Sequence, residues 1–542
     1  MTRVILELQS IFRQIIEEMK RHKIMKTSQY KNASWAKALA ACMLLLAYCA
    51  FAEIKMGTPF SDGAVLQRDM VVPVWGTVSP AKGKVTVKFA GQEKTASVDA
   101  ATGRWQVALE PMKASKAGRT MIVSTSSEKV EIGDILVGEV WFASGQSNME
   151  YPIWGPNTRY RDMKSGFMAD MTRLPYVRYI KSPKRWTVEP VAFLDTKWHK
   201  FDPEGLKIAY HGGGGLSAVA FYYARELYLA LDIPIGIVDA SFGGTNIDAW
   251  TPRSAYEGCD ERLKFVAEYP VKARWNAETK KIGAINRDRQ QPTVLWNGMV
   301  AAYAPMAMRG FIWYQGCNNA DHGEDDLYCA RLHTLYKGWR KEFANPELKH
   351  YLVQLAPYGN NWLGICTAQN RYVAEEKNAA LAVTADVGNF RDIHPNDKEI
   401  VAKRLVLHAL KRDYGFDIPE ADSPVFRSVK FADGRATLHF DHVKNWYVYA
   451  PDRSRNPAFE LAGEDGEWHP AKVANYRKQK GRDGKDYDTD YIDSAEIVLQ
   501  SDKVANPVKV RYMGRPRTSG TMYNEASLPL GTFEFPHEIP AR

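Results

Sequence analysis

The sequence predicts an α/β protein: a parallel sheet carrying the chemistry, flanked along the chain by β-rich domains at both ends. Three observations predict it. Between about residues 134 and 415, short apolar runs alternate with segments of helical periodicity, the pattern of strand–helix–strand units. Three of those runs end in glycine-containing turns, at Ser144-Gly145, Gly243-Gly244 and Gly316. Ligands bind at the carboxyl ends of the strands in such sheets. Before and after this stretch the chain shows only short alternating strands separated by Gly, Pro, Asp and Lys turns.

The elements follow in order. Residues 1–52 read as a secretory signal: Lys26, Lys31 and Lys37 precede the apolar run 38–52, and Ala50-Phe51-Ala52 forms an A-x-A cleavage pattern. The run is short for a membrane-spanning helix. A start at Met19 or Met25 would give an ordinary charged leader, so the first codon is expected to lie later than Met1. The expected location is therefore exported, periplasmic or secreted. Leu46-Ala47-Tyr48-Cys49 leaves a membrane-anchored lipoprotein as the alternative.

Residues 53–133 read as an N-terminal β-sandwich-like domain, with strands at 71–76, 85–89, 103–109 and 120–124. Residues 134–415 carry the α/β pattern. Ile135 to Phe142 is a buried strand, Ser217 to Leu231 a helix capped by Ser217, and Ile233 to Ala240 a second strand. Met308 to Gln315, Leu352 to Leu355 and Ala380 to Thr384 are further strands, and Pro395 to Lys411 is a last helix. Residues 416–542 return to β character as a C-terminal β-rich domain, with strands at 436–440, 446–450, 495–499 and 508–512.

Composition excludes some functions. The net charge is +9, but residues 1–52 hold eight Lys/Arg against three Asp/Glu, so most of the excess sits in the leader. No basic cluster with interleaved aromatics remains to bind nucleic acid. Aromatic content of 12%, with 15 Trp, suits sugar binding and β-rich cores equally. Beyond the leader, Cys259, Cys317, Cys329 and Cys366 form no metal-binding spacing, and their disulfide pairing is left open. No metal and no cofactor is expected.

The chemistry centres on Ser147, delivered by Gly145-Gln146-Ser147-Asn148-Met149 directly after a buried strand. A serine thrown up at such a turn can act as a nucleophile beside outward-pointing backbone N–H donors. The same residues are also ordinary turn chemistry. A serine nucleophile needs a base and a group that orients the base. Asp392-Ile393-His394-Pro395 offers both two residues apart, and Pro395 biases His394 toward an extended backbone. The plain reading is that Asp392 and His394 merely open the following helix. Asp386 is an alternative acid.

Four motifs occur in order: Gly145-Gln146-Ser147-Asn148-Met149, Asp239-Ala240-Ser241-Phe242-Gly243-Gly244-Thr245, Trp313-Tyr314-Gln315-Gly316 and Asp392-Ile393-His394-Pro395. Together they resemble the sialate O-acetylesterase family of SGNH-type serine esterases, and Pro292 to Met299 is similar to it as well. The resemblance covers roughly residues 53 to 415. It implies a three-layer α/β/α parallel sheet, Ser147 as nucleophile, His394 as general base and Asp392 as its partner. It also implies an oxyanion hole of the Ser147 N–H, the Gly244 N–H and the Asn319 side chain. Gln146, Asn148 and Gln315, in the same turns, are candidate substrate-binding residues. The chain departs from the family at Cys317, where the pattern has Glu.

The expected function is removal of O-acetyl groups from carbohydrates, with O-acetylated sialic acids as substrate. Alternatives are an acetylxylan or other polysaccharide acetylesterase, and a non-catalytic carbohydrate-binding protein using Trp154, Trp186, Trp362 and Trp446. His211-Gly212-Gly213-Gly214-Gly215 is like the oxyanion motif of lipase-type hydrolases but follows the serine, where that motif precedes it. It reads as a loop near the site. Cys317 as nucleophile lacks any neighbour that would make it a thiolate.

Overall fold

In the computed structural model, residues 53–536 are described apart from 154–171, 203, 206–214, 269–274, 277–280, 283–287, 323, 449–457, 481–483 and 485. The expected signal segment, Trp154 and His211 to Gly214 lie outside the described residues. Among the described residues no helix is long and apolar enough to cross a membrane.

The central sheet uses seven strands: β1 (Lys129–Gly145), β2 (Val177–Lys181), β3 (Trp198–Lys200), β4 (Ile235–Ser241), β5 (Gly310–Tyr314), β6 (Lys349–Val353) and β7 (Ala379–Ala382). Their spatial order is β3-β2-β4-β1-β5-β6-β7. All neighbours run parallel except the β3–β2 pair at one edge. Strands β4 to β7 are buried along almost their whole length, as both-face coverage requires.

Period-two alternation decides which helix meets which face. The one-turn α1 (Ser147–Glu150) and α3 (Cys317–Asp321) leave the ends of β1 and β5. The long helices are α2 (Ala218–Leu231), α4 (Asp325–Glu342), α5 (Leu363–Glu375) and α6 (Lys398–Arg412). Trp141 of β1 and Tyr351 of β6 point one way, toward Tyr223 of α2 and His408 of α6, with ring centroids 5.2 and 6.0 Å apart. Their chain neighbours Phe142 and His350 point the other way. Phe142 meets Trp339 of α4 at 5.3 Å, and His350 meets Tyr372 of α5 at 5.3 Å. Burying such rings on both faces supplies most of the sheet's stabilisation, at roughly 1.5–3 kcal/mol per side chain. Ser217 caps α2 as expected, accepting from the Ala220 N–H at 3.1 Å. An Ala in its place would cost about 1 kcal/mol.

Residues 53–124 form strands only. β1 is 17 residues long and joins them to the central sheet: its first part pairs antiparallel with Ser115–Ser124 and its end pairs with β4 and β5. The position expected to divide residues 133 and 134 therefore falls inside one continuous strand. Where the two parts meet, the fully buried Glu139 carboxylate is held by Arg68 at 2.5 Å, Arg309 at 3.1 Å and Gln67 at 2.9 Å. Neutralisation by two guanidinium groups makes that burial tolerable. After Arg412 the described residues form three four-stranded antiparallel sheets. They dock on the central region through the Asn370 amide to the Thr532 carbonyl, 2.7 Å, and the Gly520 N–H to the Ala385 carbonyl, 2.8 Å.

Gly145 ends β1 with φ 140°, and a Cβ there would lie 2.3 Å from the Tyr314 carbonyl oxygen of β5. Gly145→Ala is expected to cost on the order of 2–3 kcal/mol or more, by combining a strained backbone with a backbone clash. A lowered melting temperature together with loss of ester hydrolysis checks this; an unchanged melting curve would refute the close-approach argument.

Candidate active site

Three turns meet at the carboxyl ends of β1, β4 and β5. The register sets Gly145 opposite Ser241 on one side and opposite Tyr314 on the other. Backbone bonds lace the turns together: the Phe242 N–H donates to the Gly145 carbonyl and the Gln146 N–H to the Tyr314 carbonyl, both at 3.0 Å. Ser147 opens α1 and is half-buried. Gly243 packs directly on it, since a Cβ on Gly243 would sit 3.2 Å from the Ser147 Cβ. Glu150, three residues on, accepts from the Gly243 N–H at 2.6 Å and fixes the second turn against α1. Neither the Ser147 nor the Gly244 N–H donates in a turn or loop bond among the described residues.

The base candidate reaches the same place from the far end of the fold. His394 precedes α6, in a loop where its Nδ1 lies 3.4 Å from Asp392 Oδ1, an oxygen that also accepts the His394 N–H at 2.9 Å. Catalytic bonds in an empty site are often this long and tighten with substrate. Three side-chain bonds tie the loop and the start of α6 to α1 and the residue after it. Asn148 donates to the Ile393 carbonyl at 3.0 Å, Lys398 donates to Asn148 Oδ1 at 2.6 Å, and Tyr151 donates to Asn396 Oδ1 at 3.0 Å. The Tyr151 and His394 rings stand 6.5 Å apart. Asp386, the alternative acid, is instead clamped by Arg404 through two bonds of 2.7 Å.

Residues 137–402 match the family described as carbohydrate esterase, sialic acid-specific acetylesterase. A carbohydrate acetylesterase from Xanthomonas citri, known from its crystal structure, is 30% identical with a TM-score of 0.72. The match covers 90% of this chain and 100% of that one. The chain belongs to this carbohydrate esterase family. The sialate O-acetylesterase of Rattus norvegicus is 29% identical over 457 residues, 75% of this chain and 82% of its own. That of Homo sapiens is 27% identical over 475 residues, 79% and 86%. This acetylesterase is thus a carboxylic ester hydrolase acting on carbohydrate esters, which sets aside the alternative of a non-catalytic binder.

The acetylesterase places its other expected residues unevenly. Gln146, Asn148 and Gln315 are buried and hold the turns. Gln146 Oε1 accepts the Gly316 and Asn318 N–H groups at 3.2 and 3.3 Å. Gln315 donates to the Thr245 carbonyl and Asn319 Oδ1, and accepts from the Tyr328 hydroxyl at 2.6 Å. Asn319 is buried, its Oδ1 receives the Ile247 N–H at 3.2 Å, and its Nδ2 donates to Glu324 at 2.7 Å. Burial pushes the Cys317 thiol up to about 12, with Asp321 adding to it, so Cys317 stays a neutral thiol. Cys259, Cys317, Cys329 and Cys366 are free thiols. Trp446 is core and Trp362 stacks on Tyr358, while Trp186 lies 5.9 Å from Phe242 at the site.

Residues that the sequence reading passed over complete the site. Lys398 is fully buried, donates to Asn148, and lies over the Tyr151 and Tyr314 rings at 4.9 and 5.2 Å. A lone Lys at a helix start carries no signal for this. Glu150 pairs with Lys184 and follows the motif serine by three residues. Arg289 leans on the second turn. For metals, Cys329, His333 and Glu375, and separately Glu420, Asp422 and His442, are clustered closely enough to ligate. Their carboxylates are already taken by cations, Glu375 by Arg371 at 2.7 Å and Asp422 by Arg412 at 2.6 Å.

The His394 imidazole is held below its ordinary 6.5, by burial first and the Lys398 charge second, with Asp392 and Glu150 opposing. A base is active when deprotonated, so the acid limb of kcat/KM is expected to have its midpoint below 6.5. Lys398→Met removes a cation that disfavours imidazolium, so the midpoint should move to higher pH. A pH profile whose acid limb stays put in that variant would remove Lys398 as a cause.

Proposed function

We propose that this protein removes O-acetyl groups from sialic acids through an acetyl-enzyme on Ser147. The observation that carries the reading is the joining of three turns and the His394 loop around one half-buried serine. His394 takes the Ser147 proton as Oγ attacks the acetyl carbonyl, and Asp392 orients the imidazole and balances its charge. The tetrahedral oxygen accepts from the Ser147 and Gly244 N–H groups and from the Asn319 Nδ2 hydrogen that Glu324 leaves over. Each such donor is worth about 2.7–4 kcal/mol to the barrier. His394 then returns the proton to the leaving sugar hydroxyl. Water, deprotonated by His394, attacks the acetyl group and frees Ser147 as acetate departs.

The reading extends to architecture and location. A three-layer SGNH-type core over 134–415, with β-sandwich-like domains at 53–133 and 416–542, is supported by parallel strands bearing helices on both faces and by all-β flanks. Export to the periplasm or exterior follows from residues 1–52, with lipid anchoring the alternative. Sialic acid as the sugar draws on the names of the mammalian relatives.

Hydrolysis of an aryl acetate by the purified mature protein and its Ser147→Ala variant is the first test. The variant is expected to lose at least about 10³-fold in kcat, in keeping with loss of a serine nucleophile; equal rates would sink the assignment of Ser147. Acetate release from O-acetylated sialic acid is expected to exceed release from acetylated xylan, and the reverse order would make it a polysaccharide acetylesterase.

A further inference from the structure

One charged group beside the site is left over by the chemistry just described. Arg289 sits in a short turn, Asp288–Gln290, pressed on the second glycine turn. Bonds from its neighbour hold it there. Gln290 Nε2 donates to the Gly244 carbonyl at 2.9 Å, and the Gln290 carbonyl accepts from Asn246 at 2.8 Å. The guanidinium lies 4.8 Å over the Phe242 ring. Its Nη2 is 3.0 Å from the point where a Cβ on Gly244 would stand, and the Gly244 φ of 67° favours glycine there. Gly243 touches Ser147 and Gly244 touches Arg289, so the cation is one residue removed from the nucleophile's neighbour.

Its charge is unspent. Arg289 Nε is buried with no hydrogen-bond partner, and no carboxylate forms an ion pair with Arg289 among the described residues. The Glu150 carboxylate, whose charge Arg289 feels, is already engaged by Lys184 and by the Gly243 N–H. Lys184 lies 5.1 Å from the same Phe242 ring. Two cations and one carboxylate therefore crowd this ring, a net charge of one positive unit. Arg289 is half-buried, its Nε is the atom left without a partner, and a planar fork of donors suits a carboxylate.

We infer that Arg289 is a specificity-determining residue: it takes a carboxylate carried by the substrate beside the scissile acetyl ester, and so selects acidic over neutral acetylated sugars. This rests on the esterase reading above and adds to it the residue that reads the acid. A hydrogen-bonded pair with a charged group corresponds to roughly 10- to 100-fold in affinity.

The test compares O-acetylated sialic acid with its methyl ester, which differs only in the masked carboxylate. Wild-type enzyme is expected to favour the acid in kcat/KM by about tenfold or more, through KM, with the preference shrinking as salt is raised. In Arg289→Met the acid-to-ester ratio should collapse to near one, and Arg289→Lys should restore part of it. A wild-type enzyme without preference for the acid overturns the inference even if the variants fail to fold. A ratio unchanged in Arg289→Met overturns it too. Equal losses on both substrates in Arg289→Met would assign the guanidinium to the oxyanion or to the fold instead. Ser147→Ala assayed alongside keeps the two readings apart: its activity reports on the nucleophile whatever the ratio does.

Discussion

The register at Gly145 is the constraint from which the site follows. A residue paired in parallel on both sides fixes the level at which three strands stop. Their next residues must turn together, and their backbone groups have no ladder to join. Some satisfy one another across the turns, as the Phe242 and Gln146 N–H groups do. The N–H groups of Ser147 and Gly244, the donors of the proposed oxyanion hole, make no turn or loop bond among the described residues. Donors that are fixed before the reaction and not consumed elsewhere are what oxyanion stabilisation needs, because no reorganisation is then required as charge develops. A bulkier residue at 145 would separate the strands at this level and misalign all three turns at once.

The electrostatics of the site depend on a buried lysine. Lys398 loses hydration in full, and its charge is met by the Asn148 carbonyl oxygen and by the faces of Tyr151 and Tyr314. The arrangement does two things together. It ties α6 to the serine turn, and it places a positive charge where it weakens the protonated form of His394. One side chain therefore bears both on the seating of α6 and, after burial, on the basicity of His394, the proposed base. Glu150 opposes that effect on His394 while its carboxylate accepts the Gly243 N–H, so one acid acts on both the second turn and the proposed base.

What the sequence made legible was local. The buried runs at 135–142, 233–240 and 308–315 became β1, β4 and β5, because apolar runs ending in glycine have few other uses in an alternating α/β chain. The last helix was expected from Pro395 but begins at Lys398. Asp397 caps it by accepting the Ile400 N–H at 3.1 Å, which leaves His394 and Pro395 in the loop. Contacts between distant segments were not legible. Asn148 and Lys398 are 250 residues apart. Arg289 follows a stretch without periodicity, and only the fold brings it to Gly244. The buried state of Gln315 and Asn319 was equally hidden: amide side chains in a glycine turn look alike whether they face a ligand or brace the backbone.

The third turn is braced from outside its own motif. Position 317 holds a neutral, buried thiol where the resemblance calls for a carboxylate. The carboxylate that meets Asn319 comes instead from Glu324, just before α4. Glu324 also pairs with Arg331 at 3.1 Å, and Arg331 pairs with the buried Asp248 at 3.0 Å. Asp248 accepts from the Tyr256 hydroxyl at 2.9 Å, and the Ile247 N–H beside it returns to Asn319 Oδ1 at 3.2 Å. The circuit closes: the second and third turns are joined through one arginine and two acids. Burial raises Asp248 against the pull of Arg331, so the cation favours the charged form of Asp248 while it also pairs with the Glu324 carboxylate that holds Asn319. A carboxylate at 317 would reach the turn from within, whereas Glu324 reaches it from the adjoining helix. The orientation of Asn319, a donor in the proposed oxyanion hole, therefore depends on how α4 is seated as much as on the motif itself.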